Sequence, residues 1–235
     1  MPIPTLRDRR HSCCLQAIYE IFLTRSSAAK TILSKRLLGV GEMSIDNYAA
    51  VFESGVAQYF KEFSHRLARE TAHQAWILTS VSKLTDPQLV VAELNVPNSD
   101  LSPFSDIKPS RGAMGFDFAI TRSEIDLRTW KARTPGWKAG DATAPQTLET
   151  LREVAVLAEF KIAASSSTKT SALVTDLEKL RGAIGFMAHH GCETFPSCFL
   201  VVLDPHRVLD TRKAIESVAP NWPACTSFPK VLVGP

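Results

Sequence analysis

With 235 residues, 45% of them apolar and 22% charged, the chain is long enough for one substantial core. Its composition excludes the disordered and collagen-like classes. The net charge of +3 permits a nucleic-acid partner without requiring one, because phosphate binding rests on a local basic patch.

Five cysteines (Cys13, Cys14, Cys192, Cys198 and Cys225) fall at irregular spacings, and an odd number in a chain of this size reads as reduced thiols in a cytoplasmic protein. The apolar stretch from Cys13 to Leu23 is broken by Gln16 and Glu20, a poor signal-peptide core. No run reaches the length of a membrane span, so no membrane partner is expected.

In chain order, Arg7, Arg9 and Arg10 lead into a helical arm over 12–38 that carries Arg25, Lys30, Lys35 and Arg36 and ends at Gly39 and Gly41. Residues 1–43 thus form the most basic part of the chain, either a solvated helix face or a phosphate-backbone contact. A long helix is predicted from Ser44 or Asp46 to about Leu78, with Tyr48, Phe52, Val56, Phe60, Phe63 and Leu67 at helical spacing. Glu53, Glu62, His65 and His73 lie off that stripe, and the two histidines read as wet surface in preference to metal ligands.

Leu89 to Val96 reads as a first strand, Asp100 to Gly115 as a loop, and Phe116 to Thr121 as a second strand. A short extended piece follows over 124–130, then a loop over 131–147 and a helical turn at Leu148 to Arg152. Val154 to Ala163 is the third main strand. A polar Ser/Thr connection precedes an amphipathic helix in which Leu173, Leu177, Leu180, Ile184 and Met187 form the apolar stripe. Asp176, Glu178, Lys179 and Arg181 are placed on its exposed side. Cys198 to Leu203 is a buried strand, followed by a short helix at Thr211 to Val218 and a last strand-like run at Lys230 to Val233. His189, His190, Cys192 and Cys198 do not match a familiar zinc spacing and read as a helix end and a turn. A strand, a crossover helix and another strand predict an α/β fold with a partly parallel sheet.

Two of these strands carry charge inside apolar runs: Asp117 in GFDFAI and Glu159 with Lys161 in LAEFKIA. A strand buried on both faces should not carry charge without a partner or a task. In a strand, i and i+2 share a face, so Glu159 and Lys161 project together with Phe160 opposite. If the two strands are neighbours, two carboxylates and an ammonium converge on one patch. The bland alternative is a set of salt bridges in which Lys161 reaches the sheet edge and Asp117 caps a turn.

With these residues in place, the chain resembles the PD-(D/E)xK superfamily of restriction-endonuclease-like nucleases, over roughly 44–205. The resemblance implies a restriction-endonuclease-like core, a central mixed β-sheet flanked by helices, over 44–235, preceded by the basic arm at 1–43. Phe116 stands where the family name has proline. The resemblance further implies that Asp117, Glu159 and the carbonyl of Phe160 hold Mg2+, for which Mn2+ can substitute. Lys161 would orient or help deprotonate the attacking water, or stabilise developing charge. An extra acidic residue on the first helix is expected, with Glu53 the candidate and Glu93 of the first strand the alternative. Lys169, Lys179 and Arg181 are candidates for the nucleic-acid backbone or, more blandly, a solvated helix face. The implied activity is metal-dependent hydrolysis of phosphodiester bonds, in DNA before RNA, by an enzyme that can act as a homodimer. The alternative is a catalytically inactive nuclease-like fold that binds nucleic acid or protein.

Overall fold

The computed structural model describes residues 44–66, 68–108, 112–123, 144–163, 169–205 and 207–234. The chain divides after Glu42, and every described residue lies in the part from Met43 to Pro235. The helical arm expected over 1–43 and the extended piece at 124–130 lie outside the described residues, as does the 131–147 loop up to residue 143.

Helix α1, Ile45–Phe63, starts at Ser44, whose side chain accepts from the Asn47 N–H, and it buries Tyr48, Phe52, Val56 and Tyr59 as its periodicity predicts. The expected single helix to Leu78 is in fact two. The chain breaks at Ser64, whose hydroxyl donates back to the Phe60 carbonyl, and resumes as α2, Glu70–Ser82. No glycine or proline marks this break. Helix α2 instead packs against α1, so closely that a Cβ on Gly55 would sit 2.6 Å from Val81 Cγ2. The break also rephases the buried stripe. His73, read as surface, is fully buried, and its Nδ1 and the Tyr59 hydroxyl are hydrogen-bonded at 2.7 Å.

Five strands lie side by side in chain order: β1 Val90–Pro97, β2 Ala113–Thr121, β3 Val154–Ile162, β4 Ser197–Leu203 and β5 Lys230–Gly234. Strand β2 runs antiparallel to both β1 and β3, whereas β3, β4 and β5 are parallel to one another. The result is an α/β fold with an open, mixed sheet flanked by helices. Short helix α3, Asn98–Leu101, runs into a 3-10 turn at Ser102–Phe104 where a loop was expected, and α4, Ala144–Glu153, precedes β3. Helix α5, Thr170–His189, is the crossover from β3 to β4, and α6, Thr211–Val218, leads to β5. Among the described residues, no helix is long and apolar enough to cross a membrane.

The sheet separates two layers. Phe118, Ile120, Val156, Ala158, Phe160, Phe199 and Val201 pack with α1 and α2. Leu157, Leu200 and Val202 pack on the other side with α5 residues, including Leu177 and Leu180. Each of these Val, Leu, Ile and Phe side chains contributes about 1.5–3 kcal/mol by burial.

Strands β1 and β2 exchange faces midway. Met114 and Phe116 join the α5 layer, whereas Phe118 and Ile120 join the α1/α2 layer. An unbroken strand keeps residues of one parity on one face. The change falls at Asp117 and, across the pairing, at Glu93, whose φ of 57° lies in the left-handed region.

Candidate active site

Strands β2 and β3 pair as far as Phe118 and Ala158, after which β2 keeps only β1 as its partner. Asp117 fills the place where the ladder stops. Its Oδ2 accepts the Phe160 N–H at 2.7 Å, and its Oδ1 accepts from Gln74 Nε2 at 3.0 Å. The N–H and C=O of one strand residue point to the same edge, so the Phe160 carbonyl faces this gap as well.

Phe160 turns its ring into the α1/α2 layer, against Tyr59 and His73. Glu159 and Lys161 project together away from that layer, as the period of two predicts. Glu159 meets Lys179 of α5, whose Nζ donates to Oε2 at 3.0 Å. Asp176, one turn earlier on α5, lies 3.4 Å from Lys179 Nζ through Oδ1 and 3.4 Å from Lys161 Nζ through Oδ2. Lys161 also reaches Glu70, the first residue of α2, at 3.5 Å. Four carboxylates (Glu70, Asp117, Glu159, Asp176) therefore surround two ammonium groups. With all six ionised, the cluster carries two negative charges in excess.

Burial first, and the neighbouring charges second, set the protonation preferences. Burial pushes the Glu159 carboxyl well above the usual carboxylate range; Lys179 opposes the shift, while Asp176 and Asp117 add to it. Burial likewise raises Asp176 against the pull of Lys179 and Lys161, and raises Glu70 against the pull of Lys161. For Lys161 and Lys179 burial works the other way, yet the surrounding carboxylates outweigh it and hold both ammonium groups above their ordinary value.

Two carboxylate oxygens of the cluster, Glu159 Oε1 and Asp176 Oδ2, are buried without a hydrogen-bond partner, and Glu159 is the more deeply buried at 1% exposed. A buried carboxylate oxygen left unpartnered is costly. Among the described residues, no three His, Cys, Asp or Glu side chains form a ready-made metal-binding group. Mg2+ needs fewer, because it binds through one or two carboxylates and keeps several waters. An orphaned oxygen on Glu159, the Asp117 carboxylate within electrostatic reach of it and a carbonyl facing the same gap are a donor set that suits a small, hard divalent cation.

Searches against protein-family models, curated proteins and solved structures found no match for this chain.

The structure joins Asp117 to the Phe160 N–H and puts Glu159 and Lys161 in one charged cluster, where Lys179 and Asp176 link them. Glu53 does not join them. It pairs with Lys230 at the β5 edge of the sheet, and Glu70 is the helical acid that reaches the cluster. Glu93 sits at the kink of β1. Lys179 faces inward to the carboxylates. Arg181 is held by Glu178 Oε2 at 2.6 Å and by Asp106 at 3.3 Å, so its guanidinium ties α5 to the 102–107 segment. Lys169 lies exposed just before α5. Asp176 and Glu178, expected on a wet helix face, are each only 4% exposed. The histidine and cysteine residues after α5 behave as a helix end: His190 packs on Phe186, and the buried Cys198 thiol, pushed up to about 12 by burial, faces the Pro196 carbonyl.

Proposed function

We propose that this chain is a metal-dependent nuclease that hydrolyses phosphodiester bonds, DNA before RNA, on a restriction-endonuclease-like core. The observation that carries this reading is the buried, unpartnered Glu159 Oε1 within electrostatic reach of Asp117, with Lys161 tied into the same cluster through Asp176. Asp117, Glu159 and the Phe160 carbonyl would hold Mg2+ or Mn2+, and the bound ion would acidify a water and draw charge off the scissile phosphate.

The chain's own groups have distinct tasks. Gln74 and the Phe160 N–H fix both oxygens of Asp117, which preorganises that carboxylate. Asp176 and Glu70 hold the Lys161 ammonium from two sides. Its raised proton affinity keeps Lys161 charged at neutral pH. An ammonium has three donors and no acceptor, so Lys161 orients the attacking water or steadies negative charge on the phosphate, and does not abstract the proton.

The test is cleavage of plasmid, oligodeoxynucleotide and RNA with Mg2+ or Mn2+, comparing wild type with Asp117→Ala and Lys161→Ala and using EDTA as control. The reading expects cutting by wild type alone, abolished by EDTA. Folded wild-type protein that cuts none of these substrates would overturn it. A second reading, a nuclease-like fold kept as a nucleic-acid- or protein-binding module, is favoured by one observation: Lys179 already occupies Glu159 Oε2. It predicts that well-folded protein binds without cutting.

A further inference from the structure

We propose that Lys179 is a tethered counter-ion that takes the place of the divalent cation on Glu159 and exchanges with it. The inference rests on the metal-dependent reading above and adds to it a residue that governs access of the metal.

The two lysines of the cluster are not equivalent. Lys161 is rooted in β3 and contacts Glu70 and Asp176, so its ammonium can remain when a cation takes Glu159. Lys179 comes from α5 and sits 3.0 Å from Glu159 Oε2 and 3.4 Å from Asp176 Oδ1, within electrostatic reach of Asp117. It therefore lies among the carboxylates that would ligand or neighbour the metal. Only one Glu159 oxygen is satisfied by it; the other, buried, remains without a partner. A monovalent point charge thus answers half of this carboxylate, and a divalent ion would answer the whole.

Both cations on the same carboxylate would stand a few ångströms apart in a poorly screened site and repel each other. Lys179 has a route out. Its side chain is 23% exposed, so the ammonium can turn towards solvent while the methylene stem stays packed and Asp176 remains in range. Without metal, Lys179 limits the cost of burying Glu159; with metal, it must leave.

The experiment measures Mn2+ binding to the full chain, following free Mn2+ by electron paramagnetic resonance, for wild type, Lys179→Met and Lys179→Arg. Methionine keeps the length and removes the charge; arginine keeps the charge. Lys179→Met is expected to bind Mn2+ at least about tenfold more tightly than wild type, and Lys179→Arg no more tightly than wild type. Equal or weaker binding by Lys179→Met overturns the exchange and leaves the metal reading standing. No binding by any of the three overturns both. Should Lys179→Met be unfolded without metal, recovery of its far-ultraviolet circular dichroism on adding Mn2+ supports the exchange, and failure to recover overturns it.

Discussion

Asp117 has two duties that a pair of substitutions separates. In Asp117→Ala the Phe160 N–H loses its acceptor, and Phe160 is fully buried. A hydrogen bond to a charged acceptor contributes about 1.5–3 kcal/mol, and the stranded donor bears the desolvation penalty. Gln74, half-buried on α2, can turn towards water and adds little. Removing one negative charge relieves Glu159, Asp176 and Glu70, each of which Asp117 pushes towards protonation, and this returns part of the loss. A net destabilisation of about 1–2 kcal/mol remains, or roughly 2–8 °C in melting temperature for a unit of this size. Asp117→Asn keeps one acceptor oxygen and removes the charge, so its melting point should fall less while cleavage is lost as fully. Thermal unfolding followed by circular dichroism in EDTA, alongside the cleavage assay, checks both parts. If Asp117→Ala melts at or above the wild-type temperature, the carboxylate does not hold the end of the β2–β3 ladder. If Asp117→Asn still cuts, it is not a required ligand.

The metal-free protein should show two opposed pH effects. Burial holds the His73 imidazole below its usual value, so the stability it contributes is present above about pH 6.5 and is lost as the pH falls. Glu159, Asp176 and Glu70 are raised, so theirs is present in acid and is lost as the pH rises through their folded values. In His73→Gln only the second effect remains, and urea midpoints in EDTA should climb from pH 8 to pH 5; a fall below pH 6.5 as steep as wild type would refute the assignment. Gly55→Ala places a Cβ 2.6 Å from Val81 Cγ2 and 2.9 Å from its Cα, and should cost about 1–3 kcal/mol despite alanine's better helix propensity. A melting point at or above wild type would mean that α1 and α2 separate easily. Glu53→Ala removes a part-exposed pair with Lys230 and should change stability by less than about 1 kcal/mol and leave cleavage intact. Glu70→Ala should reduce cleavage, and the opposite result for the two would restore Glu53 as the helical acid.

The strands were legible as short apolar runs and α5 by its apolar spacing near four, and Asp117, Glu159 and Lys161 were legible because charge inside an apolar strand is out of place. Glu70, Gln74 and Asp176 carry no such mark. They sit on helices, where polar residues are ordinary, and only packing brings them inward. Asp176 and Glu178 read as surface because a single stripe was assigned to α5, yet this helix is covered by the sheet, by α6 and by the 98–104 segment. A signal for that second contact was present: Gly182 and Gly185 are one turn apart, and a Cβ on either would press on the Leu101 carbonyl at 3.0 Å or the Phe104 side chain at 2.7 Å. The break between α1 and α2 had no signal, since Ser64 to Arg69 holds neither glycine nor proline and the apolar spacing runs on through it. That break set the phase of α2, and with it the placement of His73 and Glu70.

The site's charge is divided unequally between near and distant parts of the chain. Strand β3 and helix α5 together supply Glu159, Asp176, Lys161 and Lys179, two of each sign, within about one supersecondary unit. The remaining two groups, Asp117 and Glu70, are both negative and arrive from far away, through contacts spanning 43 and 91 positions. Such long-range contacts close late, because loop-closure entropy is lost before they form. The local unit is therefore electrically balanced by itself, and the excess negative charge comes with β2 and α2. Removing either α2 or β2 alone would leave a single negative charge in excess, and only without both is the cluster neutral.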